Sequence, residues 1–599
     1  MGRVQRAPCF QCRCRKVMYP LGTATDIEVV LTPENQVRCD RRPTGCVNCE
    51  RLGFLCSFQQ NNAGGHRSPG TPKSSRNVKN VTDEGYHANT QPRNDPEMTD
   101  NQKWPLSCFP FVKSTPDSDR SGLTLMEDDI LRIINDFFTN LYPIPAYAFH
   151  HEPSIRHQCM NNALDQNLRL SIAAITTLYL SNNQRHLDET VPWIAKVETD
   201  IWNHLEKPSI TQLQSLLLVV HCHIQIGQFS RAYMLAGLAA RAVTALRLNY
   251  ERPELSLIAQ ETRRRVLWAL TFIDGSFSVG LPEYETIPHT IIYQRLPISE
   301  DAFWNGAPEN RLTTYQPTLT SDLDPDSPQR CSLLGACIRL SKISKDIMRL
   351  TRQLALAEQP LSQLSGLVQE IQNDLWRLHS DVEHTFAYDV DCSRMVSEKV
   401  GSRWFARFLQ VSVTWHQAHC DLYRLFVPRY PEAAPQVIME TVEPSLRAHA
   451  LDACAKHVTH INQILRGLRD LDVTPVLPSY IAVCAYHATR LTLFLPSALE
   501  LGLQLGLKAA DAVEGAGVAL EVLERFFSRV PAARSIVLDM RRLVRLAQEE
   551  PHSVYRELCS AAPAFGHGRD RHSHLAIHSL VRQANFVDEG YDGLQEHWT

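Results

Sequence analysis

The 599-residue chain lacks the features that would place it in several common classes. It has no apolar stretch long enough to cross a membrane. The best candidate, YIAVCAYHATRLTLFL (480–495), is short and carries His487 and Arg490, so it reads as a buried helix. The N-terminus has no apolar core of the kind that marks a secretory signal. Alternating strand patterns are nearly absent, which argues against a β architecture. No G-x-S-x-G, Walker A loop, H-E-x-x-H or strand-end G-x-G-x-x-G occurs, so no enzyme class is indicated. There is little net charge: 61 Lys and Arg against 65 Asp and Glu leave −4, which by itself neither favours nor excludes nucleic acid. A single core does not grow to this length, so a small module plus a larger body is expected.

What is present is uneven. Of 17 cysteines, seven fall in the first 56 residues. Without a secretory signal they read as metal ligands rather than as a disulfide framework. One half is compact, Cys39-x6-Cys46-x2-Cys49-x6-Cys56; the other is the pair Cys9-x2-Cys12. Zinc takes four soft or borderline ligands, and six thiolates hold two ions only if two sulfurs bridge. A matching first half would continue Cys-x6-Cys, yet 26 residues separate Cys12 from Cys39.

Removing Val17–Gln36 restores the gap and gives CFQCRCRKVRCDRRPTGCVNCERLGFLC. A Val codon begins with GT, the usual start of an intron. Gln36 can be CAG, a usual end, and Leu31-Thr32 can supply CTAAC, a usual branch point. Two readings therefore stand: a retained intron of 20 codons, or a genuine loop insertion, which the slow growth of closure cost with length allows. Sequencing cDNA across Lys16 and Cys39 distinguishes them.

With the gap closed, the six cysteines, the basic run after the second and Pro43 between the halves closely resemble the fungal Zn2Cys6 binuclear-cluster transcription factors. The resemblance implies two Zn2+. Cys9 and Cys46 would bridge, Cys12 and Cys39 would complete one site, and Cys49 and Cys56 the other. It leaves Cys14 as a bystander. It places a major-groove base contact at Lys16, with Arg13 and Arg15 as groove or phosphate neighbours. Arg38 belongs to the same basic surface, and Arg41, Arg42 and Arg51 would position the DNA backbone. The charge agrees. Outside 17–36, the first 58 residues hold nine Lys or Arg against Asp40 and Glu50, and about +5 remains once thiolates and zinc are counted. Asp26, Glu28 and Glu34 of the insert would dilute it. CGG-type sites and dimers are the family's habit; dimerisation and half-site spacing stay open here.

Residues 59–123 turn to Asn, Ser, Pro and Gly with few large apolar side chains, and a disordered linker is expected. Residues 124–552 should form a large all-helical regulatory domain, and 553–599 a flexible tail. The expected fold is thus mostly α: a small zinc cluster, a linker and a helical body. In SRAYMLAGLAARAVTALRLNY, Ser230 is a candidate N-cap. Tyr233, Leu235, Gly237, Leu238, Ala242 and Leu246 form a stripe, and Arg231, Arg241 and Arg247 reach solvent. Phe405, Phe408, Val411, Trp415, Ala418, Leu422 and Leu425 form a second stripe. Leu446, Leu451, Cys454, Val458, Ile461 and Leu465 form a third.

FFTNLYPIPAYAFHHEPSI (137–155) and the run from QSLLLVVHCHIQIG to ETRRRVLWALTFIDGSFSVGLP (261–282) resemble the fungal-specific transcription factor regulatory domain, over about 125–430. Arg263–Arg265 with Asp274 read there as internal ion pairs giving structural support. His567, His572, His574 and His578 read as an exposed polar tail. The acidic and aromatic C-terminus (Phe586, Tyr591, Leu594 and Trp598 among Asp588, Glu589, Asp592 and Glu596) reads as an activation segment or a solvated tail.

The expected function is a nuclear, sequence-specific, DNA-binding RNA polymerase II regulator, an activator, and not an enzyme. Its partners would be double-stranded DNA, transcription machinery or co-regulators and a second copy of the chain, with no membrane. The rival is a helical ligand-sensing or interaction protein whose zinc module does not bind DNA in this isoform.

Overall fold

The computed structural model describes residues 127–180, 185–308, 331–357, 362–383, 392–497, 506, 508–560, 578–584 and 586. Contacts divide the chain into Met1–Lys113 and Ser114–Thr599, and all described residues belong to the second unit. The cysteine cluster, its basic residues and the expected linker lie outside the described residues.

No β-strand forms among the described residues; the elements are helices. In chain order they are α1 (Glu127–Asp136), α2 (Glu152–Met160), α3 (Gln166–Leu180), α4 (Arg185–Asn203), α5 (Ile210–Gln225) and α6 (Phe229–Ala245). Then follow α7 (Leu257–Ser278), α8 (Glu300–Asn305), α9 (Leu333–Ala355), α10 (Leu364–Glu383), α11 (Cys392–Lys399) and α12 (Phe405–Tyr423). The last are α13 (Gln436–Met439), α14 (Pro444–Arg469), α15 (Tyr480–Ser497), α16 (Ala509–Phe527), α17 (Arg534–Glu549) and α18 (Pro551–Ser560).

Local chemistry sets several boundaries. Ser209, Ser256, Ser299 and Ser332 each accept, through the side chain, from a backbone N–H three residues on, so they cap α5, α7, α8 and α9. Pro444 sits in the first turn of α14, where its missing N–H costs nothing. α7 ends on Val279 and Gly280, both with positive φ, which turns the chain sharply.

Packing falls into two groups. α3 packs on α4 and α5, and α5 on α6; α12 packs on α14 and α15, and α15 on α16. α9 touches both α7 and α12 and so links the groups. The core runs from Ile130 to Leu580 without a break into separate clusters.

Three details differ from the sequence reading. Ser230 is not the cap of α6: the helix already begins at Phe229, after Gln228, which makes no side-chain capping bond. Its deepest face is Ala232, Leu235, Ala236, Ala239, Ala240 and Val243, because small residues let the α5 backbone approach closely. Tyr233, Gly237, Leu238, Ala242 and Leu246 flank that face and are only partly buried. Arg264 and Arg265 are buried and ion-paired as expected, but not with Asp274. Arg264 meets Glu251 and Glu261, and Arg265 meets Glu261 at 2.7 Å and Glu300 at 2.9 Å. Asp274 lies farther along α7 and instead accepts from Thr286 and pairs with Lys345. Arg263 is partly buried and donates to the Leu246 carbonyl at 2.6 Å. Of the α14 stripe, Leu451, Cys454, Val458, Ile461 and Leu465 are buried, while Leu446 in the first turn is only partly buried.

Candidate functional site

α12 is buried on nearly all sides, and that is the origin of the site. Its apolar residues Phe405, Val411, Ala418 and Leu422 are buried as the stripe predicts, while Phe408 and Trp415 are half-exposed. Beside them runs a polar series, Gln410, Thr414, Gln417 and Asp421, spaced by fours and threes so that all four share one helix face. Each is at most 8% exposed. They line a cavity of about 780 Å³ whose remaining wall is mostly apolar. A cavity of that volume is of the size that holds drug-sized molecules.

The polar series is only partly satisfied from within the protein. Gln417 Nε2 donates to Asp421 Oδ1 at 2.8 Å, which leaves Gln417 Oε1 without a partner. Gln410 Oε1 and Thr414 Oγ1 have none either. Thr414 departs from the usual habit of buried helical threonines. Thr176 and Thr489 return their hydroxyls to the carbonyl four residues back at 2.7 and 2.8 Å. Burying a polar atom without a partner is unfavourable, and such groups in a native fold call for water or a ligand.

Several charged groups around the cavity are ion-paired, although Arg424 Nε, Arg352 Nη1 and Glu432 Oε2 have no hydrogen-bond partner. Arg424 Nη2 lies 3.1 Å from Asp421, Arg490 Nη1 2.6 Å from Glu432, and Lys345 Nζ 3.4 Å from Asp274. Arg352 reaches Glu283 at 2.6 Å. Burial pushes the Asp421 carboxyl up, against the pull of Arg424 and the Gln417 amide. Burial works on Glu432 in the same direction, but Arg490 and Arg424 prevail and hold it below the usual carboxylate range. His487 Nδ1 lies 3.1 Å from Arg424 Nη1. Burial, followed by the Arg424 charge, lowers its pKa well below the ordinary value, so the ring is neutral and accepts from the guanidinium. This explains the two polar residues inside the apolar segment 480–495: His487 and Arg490 turn towards the cavity and pair there. No described helix is long and apolar enough to cross a membrane.

One wall comes from a distant piece of chain. Residues 578–584 dock on α7: Leu580 N donates to the Ser276 carbonyl at 3.1 Å, and Ser579 Oγ to the Phe277 carbonyl at 2.7 Å. His578, Leu580 and Arg582 of this strap line the cavity. The His578 ring meets His487 edge-on at 5.3 Å, and burial lowers its pKa to about 4, with Arg424 adding to the effect. His578 is thus half-buried in the fold rather than part of an exposed tail. His567, His572 and His574 lie outside the described residues.

The other predicted site residues also lie outside the described residues: Cys9, Cys12, Cys39, Cys46, Cys49 and Cys56, and Arg13, Arg15, Lys16, Arg38, Arg41, Arg42 and Arg51. The nine described cysteines run from Cys159 to Cys559, and none forms a disulfide with another described residue. Sequence reasoning missed the α12 polar series. Its signal was present as a second period at threes and fours, interleaved with the apolar one.

Residues 134–383 match the family model of the fungal specific transcription factor domain. This stretch is similar to the fungal specific transcription factor domain, and relatives of the chain carry Zn(2)-C6 fungal-type transcription factor names. The matched stretch of this regulatory domain runs from α1 to the end of α10 and starts close to the FFTNLYPIPAYAFHHEPSI segment that carried the resemblance.

Among its relatives, a "Zn(2)-C6 fungal-type transcription factor FTF1c" of Fusarium oxysporum is 28% identical over 188 residues, 29% of this chain and 20% of that protein. An "azaphilone cluster-specific transcription factor azaR" of Aspergillus niger is 24% identical over 391 residues, 60% of this chain and 77% of the relative. "Transcription factor AN6788" of Emericella nidulans is 22% identical over 202 residues, 32% of this chain and 31% of that protein. The chain spans only about a fifth or less of the length of the Fusarium relatives it matches. The six cysteines precede the matched residues.

Proposed function

We propose that this transcription factor is a nuclear, sequence-specific regulator that reads CGG-type DNA through two Zn2+ held by Cys9, Cys12, Cys39, Cys46, Cys49 and Cys56. The observation that carries this reading is the six-cysteine spacing, complete once residues 17–36 are removed, upstream of a fungal specific transcription factor domain. Thiolates at that spacing suit two tetrahedral zinc ions sharing two bridges. Lys16 would read a base edge, Arg13 and Arg15 would neighbour it, and Arg38, Arg41, Arg42 and Arg51 would hold phosphates. Activation of RNA polymerase II transcription and action as a dimer belong to the same proposal.

The test is the full chain lacking residues 17–36. Native mass spectrometry should find two zinc ions per chain. Binding should favour a CGG-containing duplex over a scrambled one and weaken steeply with salt. Lys16→Ala should reduce the preference for CGG more than the affinity for scrambled DNA. The cavity favours a second reading, a ligand-sensing regulator that does not bind DNA. Zinc binding without any sequence preference would select it.

A further inference from the structure

We infer that the cavity beside α12 is a binding site for an uncharged, largely apolar small molecule bearing hydroxyl groups, held with its hydroxyls against Gln410, Thr414 and Gln417. The carboxamide oxygens of Gln410 and Gln417 are acceptors without a donor, and Thr414 Oγ1 has no partner. These side chains lie on one face of one helix, so a single edge of a ligand reaches all three. They are between 1% and 8% exposed, which makes the missing donors costly unless something in the cavity supplies them.

The ligand's charge follows from the ion pairs. Arg424, Arg490, Lys345 and Arg352 each already face a carboxylate, and Asp421 and Glu432 already face guanidinium groups. A charged ligand would compete with these partners, and drawing one member of a buried pair such as Arg490–Glu432 away from the other is strongly unfavourable. A neutral molecule leaves every pair intact. Its apolar part meets walls such as Phe272, Val279, Met348, Leu477 and Val483, where its removal from water is the main driving force. Water alone would satisfy the three oxygens but would sit badly against those walls.

The strap makes the site part of the finished domain. Leu580 and His578 form wall on the side of α7 and α15, so occupancy and strap docking stabilise each other through shared surface.

Estradiol, a rigid apolar diol, is a suitable probe, with its 3,17-dimethyl ether lacking the donors and its 3-sulfate carrying a charge. Equilibrium dialysis against the full chain should give an order of diol, then diether, then sulfate, each step roughly tenfold or more in affinity. Thr414→Val and Gln410→Leu should each lower the diol-to-diether ratio towards one while leaving diether affinity unchanged. A partly unfolded variant would lose both probes together, so the ratio separates lost recognition from lost fold. Equal binding of diol and diether, tighter binding of the sulfate, or no binding of the diol would each overturn the inference. None of these readouts depends on zinc or DNA.

Discussion

Arg265 and Glu300 meet at 2.9 Å in the interior, and Arg407 closes on the same carboxylate from α12. Both guanidinium groups are wholly buried. Arg407 also donates to the Pro143 and Tyr142 carbonyls at 2.9 and 3.1 Å, so one acidic residue ties α7, α8, α12 and the 142–143 turn together.

Glu300→Gln removes the charge that both arginines share. Burial pushes the Glu300 carboxyl up, but Arg265 and Arg407 outweigh it and hold the group down at about 2. Its contribution is therefore complete above its ordinary pKa and is lost as pH falls towards 2. The substitution should cost about 3–5 kcal/mol in urea denaturation at neutral pH.

A second pH effect comes from histidine. His416 Nδ1 lies 2.9 Å from His457 Nδ1, and the rings of His419 and His457 stack at 4.1 Å. Burial lowers all three pKa values, that of His419 to about 3, with neighbouring His and Lys charges adding to it. The unfolded chain takes up these protons near pH 6.5 while the folded one does not. Stability should thus fall as pH drops from 6.5 towards 3, by up to roughly 1.4 kcal/mol per pH unit for each histidine. Denaturation at a series of pH values would show the slope, and His419→Phe should make it shallower.

Gly280→Ala should destabilise the fold. Its φ is +77°, and an added Cβ would stand 3.0 Å from Met348 Cβ and 3.2 Å from the Lys345 carbonyl. Strained backbone of this kind costs about 1–3 kcal/mol, visible as a lower Tm. The same change at Gly237 meets nothing within 4 Å and should be neutral or stabilising within α6.

Arg490→Met should leave Glu432 without its nearest cation and lower stability by roughly 3 kcal/mol. Adding Glu432→Gln should recover part of that loss. A double-mutant cycle followed by urea denaturation measures the coupling.

The helical character of the body was legible because burial imposes a period of three to four. The α14 stripe and the apolar side of α12 follow directly from it. The α6 face was misplaced because pattern reading ranks side chains by size, whereas close helix packing selects Ala232, Ala236 and Ala239. Asp274 was matched to arginines near it in sequence; its true partner, Lys345, lies 71 residues on, and no local pattern reports that. The same limit hid the cavity. Gln410 and Thr414 look like an outward polar face until α9, α15 and the strap are placed around them.

The bond from Ser579 to Phe277 spans 302 residues of chain. At a ribosomal rate of about 5–20 residues per second, α7 waits roughly 15–60 s for the segment that covers it. During that interval the newborn polypeptide carries a half-built interior, with Leu580 not yet made and the surface around Ser276 open to solvent or chaperone. Maturation of this protein is therefore timed by translation of its far end, and a message broken before codon 579 yields a product that lacks this wall.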